Sequence, residues 1–154
     1  MRSKVLRAAF LTLAVAGCHA RPLAHNTCSL ATYKRAESSL INVRGSWPSL
    51  LRHQRTFAPC DDGALAEDYS DAVVTLFARK WDQFGAFVAL SERHPNFERW
   101  AIRHIDATAS DEDLKKVMLN AASCIDDVKT QSLCRTIQEA AANALTETKS
   151  AVEG

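Results

Sequence analysis

Between Ala64 and Trp81 the apolar side chains fall at Leu65, Tyr69, Ala72, Val73, Leu76, Phe77 and Trp81, at steps of three and four residues. That spacing gathers them on one stripe of an α-helix and does not suit the alternation of a half-buried strand. A helix of this kind persists only against other apolar faces, and the rest of the chain supplies them. Leu114, Val117, Met118, Ala121 and Ile125 form a second stripe behind the capping sequence Ser110-Asp111-Glu112-Asp113. Leu133, Ile137, Ala140, Ala141, Ala144 and Leu145 form a third from about Thr130, and its small residues permit close helix approach.

Shorter helices are predicted elsewhere. One spans Ser29 to Val43 and ends at Gly45; another opens at Ser46-Trp47-Pro48, turns Trp47, Leu50, Leu51 and Phe57 inward, and stops at Pro59. Asp61 or Asp62 caps the central helix, a break falls near Asp82, and Phe84, Phe87, Val88 and Leu90 lead to a stop at His94-Pro95. Asn96 then caps a segment carrying Phe97, Trp100, Ala101 and Ile105. With no convincing alternation anywhere, the expected fold is all-α, a compact bundle of about five to six short helices. The low content of Gly (5) and Pro (4) agrees, and 154 residues suit a single core. A formal charge of +1 gives no electrostatic footprint for nucleic acid.

The amino terminus is of another kind. Arg2, Lys4 and Arg7 precede an uncharged run from Ala8 to Gly17, which is about half the length needed to span a bilayer as a helix. A basic segment followed by a short apolar one reads as a signal peptide. Its end, Val15-Ala16-Gly17-Cys18, resembles a bacterial lipobox. The resemblance implies lipidation of Cys18, cleavage before it and further acylation, giving a triacylated first residue whose several chains hold stably to a bilayer. His19, standing where an Asp would favour the inner membrane, implies an outer-membrane lipoprotein facing the periplasm. The other outcome is secretion after Ala20, as a soluble periplasmic or secreted chain. The expected organisation is a signal peptide over 1–17, a lipidated tether over 18–28, a helical domain over 29–147 and a fraying tail over 148–154. Processing removes three bases and takes the formal charge from +1 to −2.

Lipidation of Cys18 also leaves an even set of cysteines, Cys28, Cys60, Cys124 and Cys134, in an oxidising compartment. Of three connectivities, Cys28 with Cys60 and Cys124 with Cys134 is favoured. The second pair flanks the polar turn Asp126 to Gln131 and would staple a helix hairpin; the first would tie the N-terminal segment to the loop around Pro59. No Cys-x-x-Cys or zinc spacing occurs.

Catalytic and metal-binding signals are weak. His94 and His104, with Glu92 and Asp106 nearby, lie ten apart across a proline and match no helix-face ligand pattern; His104 follows Trp100 by four and reads as a hydrogen-bonded core residue. The acids from Asp61 to Asp71 lack an EF-hand register, and no nucleophile motif or phosphate-cradling glycine loop surrounds any serine. No cofactor or metal is expected.

Charge is unevenly spread. Lys34, Arg35, Arg44, Arg52 and Arg55 stand against Glu37 alone, whereas the stretch from Asp61 to Asp71 is acidic without a base. The two stretches are expected to pair in part, and the surplus would orient a partner more than bind it. Candidate contact residues are Arg44, Arg52, Arg55, Arg99, Arg103 and, if exposed, Trp47, since Trp and Arg dominate interfaces. Arg103 and Asp106 are placed to pair within a helix. The sequence therefore predicts a small lipid-anchored periplasmic binding protein, not an enzyme, with a protein partner such as an envelope enzyme or toxin. In size, helicity and paired cysteines it is similar to small periplasmic immunity proteins, a likeness of class that no motif carries. The alternatives are a structural envelope lipoprotein and a hydrolase using His94 or His104.

Overall fold

The computed structural model describes residues 27–124 and 128–153. The signal peptide, the lipobox with Cys18 and most of the tether lie outside the described residues, as do Asp126 and Asp127 of the turn. Seven α-helices are described: α1 (Leu30–Leu40), α2 (Trp47–Phe57), α3 (Gly63–Arg79), α4 (Phe84–Arg93), α5 (Pro95–Arg103), α6 (Asp111–Ala122) and α7 (Val128–Glu153). Single 3-10 turns join α2 to α3 (Ala58–Cys60) and α3 to α4 (Trp81–Gln83), the latter at the break expected near Asp82. The architecture is all-α, with no strand among the described residues. None of the described helices is long and apolar enough to cross a membrane.

Helix α3 is the axis. Its expected stripe is sealed, with Leu65, Tyr69, Ala72, Val73 and Leu76 at 0% exposure, and Val74 and Ala78 are buried as well, so it is covered on more than one side. Helix α6 packs on both α3 and α7, α1 packs on α2 and α3, α2 on α4, and α4 on α5, which also meets α7. Trp47, the first residue of α2, is fully buried with its ring centroid 4.6 Å from Phe77 and 4.5 Å from Phe87. That position removes Trp47 from the candidate contact surface: the inward stripe that begins α2 places it in the core. Trp100 is also buried, whereas Trp81 is half-buried and stacks on Phe84 at 4.3 Å.

Caps follow the local chemistry with exceptions. Ser110 accepts from Asp113 N at 3.2 Å and Asp62 from Gly63 N at 2.8 Å. Gly63 carries φ +54°, a left-handed turn that glycine enters without a Cβ clash. Ser46 caps α2 by position without a side-chain bond, and α5 starts at Pro95 with His94 as its cap, two residues earlier than a capping Asn96 requires. Proline explains that shift, since its fixed φ suits a first helical position. Helix α7 begins at Val128 and its backbone continues to Glu153, through the stretch read as a fraying tail. The Thr146 and Thr148 hydroxyls bond back to Ala142 and Ala144 carbonyls.

Both disulfides are present, Cys28–Cys60 and Cys124–Cys134. The first welds the start of the domain to the turn after α2, and the second staples α6 to α7. Bridges of this kind contribute about 2–4 kcal/mol each, in the main by restricting the unfolded chain. Polar clamps that the helical period does not announce complete the packing. Arg79 on α3 grips Asp113 on α6 with two bonds, at 3.0 and 2.7 Å, and this guanidinium holds the Asp113 carboxyl below its ordinary range against a smaller upward push from burial. Asn120 donates to the Phe77 and Ala78 carbonyls near the end of α3, where helical carbonyls lack partners, and the Tyr33 hydroxyl accepts from Leu65 N at its beginning.

Candidate functional site

Two places gather chemistry-bearing side chains: a buried network on α3 and a basic surface on α1 and α2. The network holds Ser70, His104, Asp61 and Asp106. Ser70 lies four residues before Val74 and seven before Phe77, on the flank of the apolar stripe, and is 1% exposed. Its Oγ donates to Asp106 Oδ2 at 2.7 Å and lies 3.0 Å from His104 Nδ1. On the far side of the ring, His104 Nε2 donates to Asp61 Oδ2 at 3.3 Å, since a carboxylate only accepts, and Trp100 Nε1 donates to the same oxygen at 2.7 Å. Burial pushes the Asp61 carboxyl up, but the bonds from His104 and Trp100, with the charges of His104 and Arg103, more than offset this and hold it below its ordinary value. Asp106 follows the same balance: burial raises it, and bonds from Thr108 and Ser70 bring it below.

These are the residue types of a nucleophilic triad, arranged for another purpose. In a triad the imidazole takes the serine hydrogen. Here the Ser70 hydroxyl has two other acceptors in reach, Asp106 Oδ2 and the Ala66 carbonyl at 3.1 Å, so the ring is not its sole partner. The arrangement ties α3 and α5 to the turn that precedes α3 and the loop that follows α5. The expected Arg103–Asp106 pair is absent among the described ion pairs; α5 ends at Arg103, which leaves Asp106 in the following turn, turned toward Ser70 and Thr108. His94 sits half-buried at the α4–α5 junction and does not join His104. No group of three or more His, Cys, Asp or Glu among the described residues is placed to hold a metal ion.

A second buried histidine, which the sequence reading did not single out, also packs against Tyr69, with ring centroids 5.6 Å apart. His53 Nε2 donates to the Ala36 carbonyl at 3.1 Å and contacts Ser39 Oγ at 2.9 Å, while Nδ1 accepts from the Tyr69 hydroxyl at 2.8 Å. Burial lowers its pKa, against a smaller rise from the Ala36 carbonyl. The signal was available: His53 falls two residues after Leu51 and four before Phe57, on the inward face of α2.

The surface bases are divided. Arg44 meets Asp71 at 3.5 Å, the partial pairing expected between the basic and acidic stretches. Arg52 donates to Ser49 Oγ at 3.0 Å, Arg99 to Asn96 Oδ1, and Arg35 lies over the Phe57 ring at 5.8 Å. Lys34, Arg35, Arg52 and Arg55 are exposed and have no carboxylate partner among the described ion pairs. Arg55 lies in the last turn of α2, five residues before the disulfide-bonded Cys60, and Arg103 is close enough to Asp61 to act on its carboxyl. No family model, curated protein or solved structure matches the chain.

Proposed function

We propose that this chain is a lipid-anchored protein of the bacterial envelope, held at Cys18 in the outer membrane on its periplasmic side, that binds an acidic protein partner through the basic face of α1 and α2. The observation that carries the binding role is the set of exposed bases Lys34, Arg35 and Arg52, without a carboxylate partner among the described ion pairs, beside a network in which Ser70, His104, Asp61 and Asp106 bond to one another. Two disulfides suit an oxidising compartment. The lipobox-like Val15-Ala16-Gly17-Cys18 supplies the anchor. Surplus charge of one sign speeds encounter with an oppositely charged surface and orients it, with strong dependence on salt. An inhibitor- or immunity-like role toward an envelope enzyme or toxin is the specific form of this reading.

The test is capture from envelope extract with the full chain and with a Lys34→Glu, Arg52→Glu bait. A stoichiometric partner retained by the native chain at low salt and lost by the reversed bait is expected; recovery that ignores both salt and charge reversal sinks the proposal. Cys18→Ser is expected to release the protein from membranes, and unchanged fractionation removes the anchor.

A further inference from the structure

We infer that the cavity between the C-terminal half of α2 and the α4–α5 junction is a binding site for an organic phosphate, a phosphate group carried on an apolar body. The site is independent of the docking face: it uses different side chains and is tested without a protein partner.

The cavity has a volume of about 470 Å³. Arg55, Arg93 and His94 line it together with the amides of Gln54 and Asn96, and no carboxylate does. Neither arginine has a carboxylate partner among the described ion pairs. Arg93 is held in place, because its Nε donates to the Ala89 carbonyl at 3.0 Å and leaves the terminal amino groups of the fork for other acceptors. The positive end of α5 opens on the same space through Pro95 and Asn96 and adds to the charge the bases already supply. Two guanidinium groups lining one concavity repel each other, and a bound anion removes that repulsion.

The count of donors selects the anion. A carboxylate brings one negative charge on two oxygens and leaves one of the two guanidinium charges unbalanced. A phosphate presents three or four acceptor oxygens and up to two charges, enough to engage both arginines. The remaining wall is apolar, formed by Leu51, Ala58, Pro95 and Phe97, and calls for a hydrocarbon or ring attached to the phosphate. The neighbouring cavity between α4, α5 and α7 makes the contrast. It has about 350 Å³, is lined by Glu92 and Glu98, and its base Lys129 already meets Glu92 at 3.0 Å, so it offers an anion no comparable field.

Such a group comes from a soluble phosphate ester or from a phospholipid headgroup. Calorimetric titration of the full chain in neutral detergent with phenyl phosphate, inorganic phosphate and benzoate tests the site. Phenyl phosphate is expected to bind most tightly, with Arg55→Gln and Arg93→Gln each weakening it at least about tenfold. Arg52→Gln, one turn away from Arg55 and outside the cavity, is expected to leave it unchanged. All three side chains are exposed, and equal melting temperatures of the variants verify their folding. Doping the micelles with phosphatidylglycerol separates the sources: displacement of phenyl phosphate that phosphatidylcholine does not reproduce assigns a lipid headgroup, and no displacement assigns a soluble ester, the site standing in both cases. Absence of phenyl phosphate binding, equal affinity for benzoate, or an Arg52→Gln effect matching that of Arg55→Gln overturns the inference.

Discussion

His53 and His104 flank the same residue, Tyr69, with ring centroids 5.6 and 5.8 Å from its own, yet they occupy opposite kinds of site. The partners of His53 are a carbonyl and two hydroxyls, none of them charged. His104 stands between Asp61 on one side and, through Ser70, Asp106 on the other. Both rings are buried to about the same degree, 6% and 7% exposed, so the contrast arises from what each nitrogen meets and not from depth. A low-dielectric interior makes satisfied polar bonds strong and orphaned ones expensive. The site built around carboxylates should therefore be the more fragile when one member is removed.

Asp61→Ala is the strongest way to break the comparison. It leaves Trp100 Nε1 and His104 Nε2 without their common acceptor, and each stranded donor costs about 1–3 kcal/mol, so a total loss of about 2–6 kcal/mol is expected in urea unfolding. Asp61→Asn keeps an acceptor for Trp100 and should lose less. On the other side, Tyr69→Phe removes only the hydroxyl that His53 accepts from, leaving the ring packed against Trp100 at 5.1 Å, and should cost about 1 kcal/mol. If the tyrosine variant proves the more damaged of the two, the assignment of the fragile site is wrong.

Acid titration sharpens the same contrast. His53 has a folded pKa below its ordinary value, so above about pH 6.5 both folded and unfolded states hold it neutral and its contribution is complete. As pH falls from there the unfolded chain takes up a proton that the folded site resists, and stability declines. Asp61 and Asp106 also have lowered folded values, but their contribution is complete above about pH 4 and is lost only below it. Unfolding measured across pH should show two separate shoulders. His53→Gln should flatten the upper one, while Asp61→Ala acts on the lower one. Exchange of those effects between the variants would invert the reading of the two sites.

What the sequence shows of this arrangement depends on range. The apolar stripe of α3 and the cysteine pairing are short-period or counting problems, and both were legible: Leu65 to Phe77 is sealed and both bridges form. His104 was legible as a packed residue from its spacing to Trp100. Its partners were not, because Ser70 and Asp61 lie 34 and 43 residues away and belong to other elements. Arg103 and Asp106 illustrate the opposite error. Their three-residue spacing suggests a helical pair, but the helix stops at Arg103 and the carboxylate turns to a tertiary partner. The cavity beside α2 was equally hidden, since Arg55 and Arg93 come from helices whose pairing no local pattern encodes.

The smallest expected effect bears on the hydrolase alternative. A fluorophosphonate probe reacts with a serine whose hydroxyl is accessible and whose hydrogen is drawn off by a base. Ser70 fails the first condition, being 1% exposed, and Asp106 Oδ2 at 2.7 Å competes with His104 Nδ1 at 3.0 Å for its hydrogen. The cavities beside α2 and between α4 and α7 are lined by neither Ser70 nor His104, so no approach to the hydroxyl opens from them. Mass spectrometry of the native full chain after exposure to the probe should find Ser70 unmodified under conditions that label a serine hydrolase control to completion. Labelling that disappears in His104→Ala would mean that the ring does activate the hydroxyl. It would turn the network from a clamp between α3 and α5 into a reactive centre, and the contrast with His53 would then be one of function as well as of charge.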